Sequence, residues 1–206
     1  MKVPDLADLI DDAEVARLQA DYGLGQRCQL RIELTESSFD YGWRKLVVKR
    51  SRRGEVVLAI QRPDGQVLLH TKLFYPPGIY RLPTGGVHPG ESVLAGAMRE
   101  SREETGLGIT VTRFLGMVEY DFHQAERRMP FVSYVLLAQA DDSIPTPEDE
   151  SERISGFRYV PVIELRRVAD ALRHLPEQWA DWGMFRALPH NIVADALLGV
   201  ALPDNE

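Results

Sequence analysis

The chain has a single cysteine, Cys28. One thiol forms no internal disulfide and cannot build a thiolate metal site alone, which points to a reducing, cytoplasmic compartment. No run of about 18 apolar residues occurs, so no membrane span is expected. The opening MKVPDLADLIDDAEVARL has neither a basic start nor an apolar stretch, so it is not expected to be a secretory leader. Positive charge is not in excess either. Lysine and arginine total 24 against 31 aspartates and glutamates, a net charge of −7. That balance argues against a long nucleic acid as main partner, because such binding runs on basic stripes. It leaves room for small phosphorylated substrates held by a metal ion on carboxylates. Internal repeats and low-complexity tracts are lacking too.

What is present is ordinary globular material: 206 residues, 44% hydrophobic and 27% charged. Such a chain makes one domain with attached extensions. Residues 3–22 have roughly helical apolar spacing, and CQLRIELTES alternates as a strand. RKLVVKRS reads as a second strand. EVVLAIQ and QVLLHTKL flank Pro63-Asp64-Gly65, the clearest hairpin of the chain. Residues 91–105 read as a helix that Gly106 stops. Strands follow at GITVTRFLGMVEYDF, PFVSYVLLAQA and GFRYVPV, with the polar loop 141–153 between the last two. Residues 163–175 are an amphipathic helix ended by Pro176. The tail holds Trp179, Trp182 and Phe185, which pack a C-terminal helix, and then a helical NIVADALLGV. Strands and helices mix without βαβ alternation, which favours α+β with a mixed sheet.

The informative segment is GGVHPGESVLAGAMRESREETGL, Gly85 to Leu107. On a helix, Leu94, Ala97, Met98, Ser101 and Thr105 fall on one side, and Glu100, Glu103 and Glu104 on another. Like charges at i and i+4 destabilise a helix, and a divalent cation between them reverses that. Oxygen-only ligands suit magnesium, manganese or calcium, and open water positions suit magnesium shared with phosphates. Gly85, Gly86 and Gly90 let the backbone approach a ligand closely. Arg99 is long enough to fix the rotamers of carboxylates around it. A solvated acidic helix face is the plainer account of three glutamates in five residues, and the full spacing outweighs it.

That spacing, G-x5-E-x7-R-E-x-x-E-E-x-G and an aliphatic residue, resembles the Nudix box through Gly85, Glu91, Arg99, Glu100, Glu103, Glu104, Gly106 and Leu107. A chance match is on the order of one in a million per chain. Ser101 stands where the family usually has an aliphatic residue. On the core side its hydroxyl is expected to bond back to a carbonyl one turn earlier. The resemblance covers roughly residues 54–175. It implies a Nudix-type α/β/α sandwich at 54–175, an N-terminal helix and strand extension at 1–53, and a C-terminal helical tail at 176–206.

The resemblance further implies a hydrolase of nucleoside diphosphates linked to another moiety. Glu100, Glu103 and Glu104 would bind Mg2+, with Mn2+ as substitute and the Gly85 carbonyl as a further ligand. Arg99 and Glu91 would be the orienting pair. Water made nucleophilic by the metal would attack phosphorus. The general base would be a box glutamate, Glu100 or Glu103, or a later loop residue, Glu150 or Glu152. RLPTGGVHPGE is somewhat similar to the ADP-ribose and nucleotide-sugar branch, from which Arg81 and His123 depart. Arg81 is placed to meet a phosphate as a planar fork or to pair with a carboxylate. Lys72 suits a phosphate contact. Phe74, Tyr75 and Tyr80 either stack a base or close the core. The N-terminal strands pair with the sheet or with another subunit, and a homodimer is expected. Two other accounts stay open: a (d)NTP-cleaving Nudix enzyme, or a non-catalytic nucleotide-sensing module.

Overall fold

The computed structural model describes residues 6–35 and 52–200. Its elements are α1 (Leu6–Leu9), α2 (Asp12–Tyr22), β1 (Gln26–Glu33), β2 (Gly54–Gln61), β3 (Val67–Lys72), β4 (Thr84–Val87), α3 (Val93–Thr105), β5 (Thr110–Gln124), β6 (Arg127–Gln139), a 3-10 turn (Glu150–Glu152), β7 (Ile154–Val160), α4 (Glu164–Arg173) and α5 (Glu177–Leu198). β2 and β6 are buried almost throughout. Strands that read as near-continuous apolar runs belong where both faces of a sheet are covered.

The seven strands form one sheet in the order β1-β5-β6-β2-β3-β7, with β4 also on β2. β1 pairs parallel with β5 and β2 parallel with β6, and every other pairing is antiparallel. The fold is α+β with a mixed sheet. Val56, Leu58, Ile60 and Leu68 face a front core with Leu9, Val15, Val93 and Ala97, from α1, α2 and α3. Val57, Ala59, Leu69 and Tyr120 face a back core with Leu165, Leu172, Phe185 and Ile192, from α4 and α5. Three layers result. Both edges of the sheet, β1 and β7, are only partly buried rather than hiding both faces. Among the described residues no helix is long and apolar enough to cross a membrane.

Several elements differ from the sequence expectation. The helix expected over 3–22 is two helices: Asp11 interrupts it and caps α2, its carboxylate accepting from the Glu14 N–H at 3.1 Å. The box helix begins at Val93 with Ser92 as its cap, so Glu91 lies before it. The strand RKLVVKRS lies outside the described residues. The C-terminal tail is one helix of 22 residues that runs through Pro189. Proline removes the N–H that would bond to the carbonyl four residues back. Here that carbonyl belongs to Phe185, and the buried Tyr120 hydroxyl donates to it at 3.1 Å. The replacement donor comes from the sheet, so periodicity along the tail could not reveal it.

The back layer also holds buried charge. Arg186 of α5 meets Glu55 of β2 at 2.6 Å, and the Ser133 hydroxyl donates to the same oxygen at 2.7 Å. His190 accepts the Leu82 N–H at Nε2, 3.1 Å away, and its Nδ1 lies 2.8 Å from the Arg186 carbonyl. Those two bonds require a neutral ring protonated on Nδ1. Burial agrees, pushing the imidazole down to about 3.

Candidate active site

The box helix is held at both ends. At its start the Ser92 hydroxyl accepts the Ala95 N–H at 3.1 Å. At its end Gly106 takes the left-handed conformation, φ +69, and donates to the Arg102 carbonyl. The loop 141–153 folds over that end. Thr146 and Asp149 donate their N–H groups to the carbonyls of Thr105 and Glu103, at 2.8 and 3.1 Å. A Cβ on Gly106 would lie 2.0 Å from the Thr146 oxygen, so the residue must be glycine for contact as well as for φ.

Which face of the helix is buried was only partly legible. Ala97, Ser101 and Thr105 are buried as expected and Leu94 is half-buried, but Glu100 and Glu104 are buried too, while Met98 is exposed. Ser101 differs in its bond as well. Its hydroxyl reaches forward to the Leu107 carbonyl at 3.0 Å, and Thr105 makes the backward bond, to the Ser101 carbonyl.

Arg99 is the hub. Its Nε and Nη2 hold the Glu91 carboxylate at 2.8 and 2.9 Å. Its Nη1 donates to Glu100 and to Glu103, both at 2.8 Å, and Nη2 donates to the Gly86 carbonyl at 2.7 Å. The planar fork thus ties three carboxylates to the glycine loop. Gly85 makes room for one of them: a Cβ there would stand 1.7 Å from the Glu100 carboxyl carbon. Burial above all, with repulsion from Glu104 and Glu103, pushes Glu100 up to about 7 against the downward pull of the Arg99 bond.

Glu104 turns elsewhere. It is buried, accepts the Thr84 N–H at 3.0 Å and meets Lys72 at 2.7 Å. Lys72 also pairs with Glu152. Burial works against the Lys72 charge, but Glu104, Tyr75 and Glu152 together hold the ammonium above its ordinary pKa. Among the described residues no three His, Cys, Asp or Glu side chains already enclose an ion-sized position. The donor set nevertheless fits a hard dication: Glu100, Glu103 and Glu104 would all offer oxygen ligands from one helix, beside the glycine loop. A cation there would relieve the mutual repulsion that acts on Glu100.

Arg81 is buried, with its donors on the Tyr75 hydroxyl (2.7 Å), the Leu82 carbonyl (2.7 Å) and the Thr84 hydroxyl (2.8 Å). Neither a free fork nor a carboxylate partner is what the geometry presents. Tyr80 is half-buried against the back core, with Arg158 over its ring at 4.9 Å. Tyr75 packs on Trp182 of α5 at 4.9 Å. Sequence reasoning missed Glu14, Arg53 and His70. His70 is fully buried, 3.8 Å from Glu104, and neither ring nitrogen has a hydrogen-bond partner. Nothing in their local sequence marks them, since each is brought to the site by tertiary packing.

A three-layered α+β fold with a carboxylate-bearing helix tied to a glycine loop defines a class, and comparison with known proteins agrees. The sequence model of the NUDIX domain matches residues 50–183, more than half of the chain. The chain belongs to the Nudix family of hydrolases, which act on diphosphate bonds and generally use divalent metals such as Mg2+. Nudix hydrolase 6 of Arabidopsis thaliana is 29% identical over 115 residues, covering 55% of this chain and 37% of that protein. Among solved structures, an Ap4A hydrolase of C. elegans is 19% identical, with a TM-score of 0.46, over 71% of this chain and 98% of that one. The E. coli dihydroneopterin triphosphate pyrophosphohydrolase is 14% identical, with a TM-score of 0.48, over 73% and 98%.

Proposed function

We propose that the chain cleaves a nucleoside diphosphate linked to another moiety, such as ADP-ribose or a nucleotide sugar, by attack of water on phosphorus. The observation that carries this reading is the Arg99 hub, which gathers Glu91, Glu100 and Glu103 at the glycine loop. In it, Glu100, Glu103, Glu104 and the Gly85 carbonyl would hold Mg2+, or Mn2+ in its place. When bound, the metal supplies charge to the phosphoryl oxygens and makes water a better nucleophile.

The remaining work falls to side chains. Glu91 and Arg99 keep the carboxylates in one orientation. Lys72 sits between Glu104 and Glu152 and can trade one of them for a phosphate oxygen. Glu152, released from that pair, is the base that takes the proton from water. Arg81 and Tyr80 act on the loop that borders the substrate: Arg81 fixes Thr84 and Tyr75, and Tyr80 lines the strand end at Gly156. We place the chain in the reducing compartment that its one unpaired cysteine suits. A homodimer is part of this reading, supported by β1, an outermost strand of the sheet.

A substrate panel tests the reading: ADP-ribose, UDP-glucose, NADH, diadenosine polyphosphates and (deoxy)nucleoside triphosphates, each with and without Mg2+. Magnesium-dependent release of nucleoside monophosphate from the first two is expected. Binding without turnover across the whole panel would overturn it in favour of a sensing module.

A further inference from the structure

The NUDIX match begins at residue 50, yet a helix well before it touches the box. Glu14 lies in the first turn of α2 and is largely buried. Its Oε1 accepts the N–H of Val93, the first residue of the box helix, at 2.7 Å. Its Oε2 pairs with Nη2 of Arg53. Arg53 in turn donates from Nε and Nη2 to the Glu91 carbonyl, at 3.2 and 2.9 Å. Glu91 is the carboxylate that Arg99 holds. Contacts therefore run from Glu14 through Arg53 and Glu91 to Arg99, and from there to Glu100 and Glu103. A carboxylate at a helix N-terminus satisfies an orphan N–H and meets the positive end of the helix dipole. Ser92 already serves the Ala95 N–H, so Glu14 supplies a second, distinct cap.

We propose that Glu14 is a positioning residue for the catalytic box, fixing the start of α3 and, through Arg53, the backbone of Glu91. This rests on the hydrolase reading above. Outer partners of metal ligands commonly carry about a 10- to 100-fold effect on metal affinity or activity. A cavity of about 360 Å³ lined by Leu9, Asp11, Glu14, Arg53, Gly90 and Glu91 opens beside the carboxylate, so a small anion can enter when the side chain is cut back.

The test uses the full chain carrying Glu14→Ala, with Val15→Ala as control. Val15 packs α2 into the front core and makes none of these polar contacts. Both variants are assayed well below their melting temperatures for kcat, KM and Mn2+ affinity by electron paramagnetic resonance, with and without added formate. Glu14→Ala should lower kcat about 10-fold with KM within about two-fold, and should weaken Mn2+ binding about 10-fold. Formate should restore part of both losses in Glu14→Ala and nothing in Val15→Ala. Values within about two-fold of wild type, equal losses in the control, or no gain from formate would each overturn the proposal. If Glu14→Ala does not fold, Glu14→Gln is read in the same way, since it keeps an acceptor for Val93 and loses the ion pair with Arg53. If the wild type turns over nothing on the panel, the hydrolase reading fails, and Mn2+ affinity alone decides the role of Glu14.

Discussion

The two faces of the sheet use buried charge for opposite ends. On the front, Arg99 collects three carboxylates, of which Glu100 is buried, Glu91 partly open to water and Glu103 the most open. On the back, Arg186 and Glu55 close on each other, with the Ser133 hydroxyl on the same carboxylate oxygen. The front concentrates like charge, an arrangement that would favour a cation. The back pairs Arg186 with Glu55 one to one, which makes it structural. Removing a group from the front should therefore cost turnover, and removing one from the back should cost stability.

The sharpest break of that contrast comes from Glu103→Gln. It should lower kcat about 100-fold or more in the Mg2+ assay. The melting temperature should stay within about 4 °C, because one half-exposed ion pair is at stake. Next in size is Arg186→Met, which leaves Glu55 buried without its counter-charge and should cost about 3–5 kcal/mol in urea unfolding. The double variant Glu55→Leu/Arg186→Met should recover most of that loss, since well-packed apolar residues replace a buried pair at little cost. A double variant as unstable as the single one would show that the back cluster carries more than paired charge.

Acid should act through the back face as well. His190 sits at about 3 when folded against 6.5 when free. Between those values the unfolded chain binds a proton that the native one does not, so stability falls as pH drops below 6.5. Each such group contributes at most about 1.4 kcal/mol per pH unit. His70 acts with the same sign, burial and the charges of Arg81, Lys72 and Arg186 holding it neutral. His190→Gln should therefore flatten the slope of unfolding free energy against pH without abolishing it. The smallest effect is expected at Tyr120→Phe, about 1–2 kcal/mol, because the Phe185 carbonyl loses its donor. Pro189→Ala in that background restores an N–H and should recover part of the loss.

The contrast also explains what could be read in advance. Gly85, Glu91, Arg99 and the three glutamates sit within twenty residues, so one helix and one loop determine their geometry, and spacing alone exposes it. Glu55 and Arg186 are 131 residues apart, and Glu14 and Val93 are 79 apart. Neither pair leaves a periodic trace, because only the strand order brings it together. Arg81 shows the intermediate case. Its position near the box was legible, but its partners Tyr75 and Thr84 depend on how the loop folds back. Pro189 is legible as a helix breaker, but not its tolerance, because a distant hydroxyl takes over the lost bond.

The parallel pairing of β1 with β5 has a kinetic consequence. Gln26 aligns with Gly116, and the backbones come so close that a Cβ on Gly25 would lie 2.6 Å from the Gly116 nitrogen. Such a junction joins positions far apart in the chain, whereas β5 and β6 meet across a tight connection at Ala125 and Glu126. Nearby partners find each other first, and remote ones follow after a long chain closure. The amino-terminal segment should thus be a late arrival during refolding, and the helix that bears Glu14 with it. Turnover should emerge after the signals of the interior tyrosines, Tyr120 and Tyr134, have already settled, as the last property the molecule acquires.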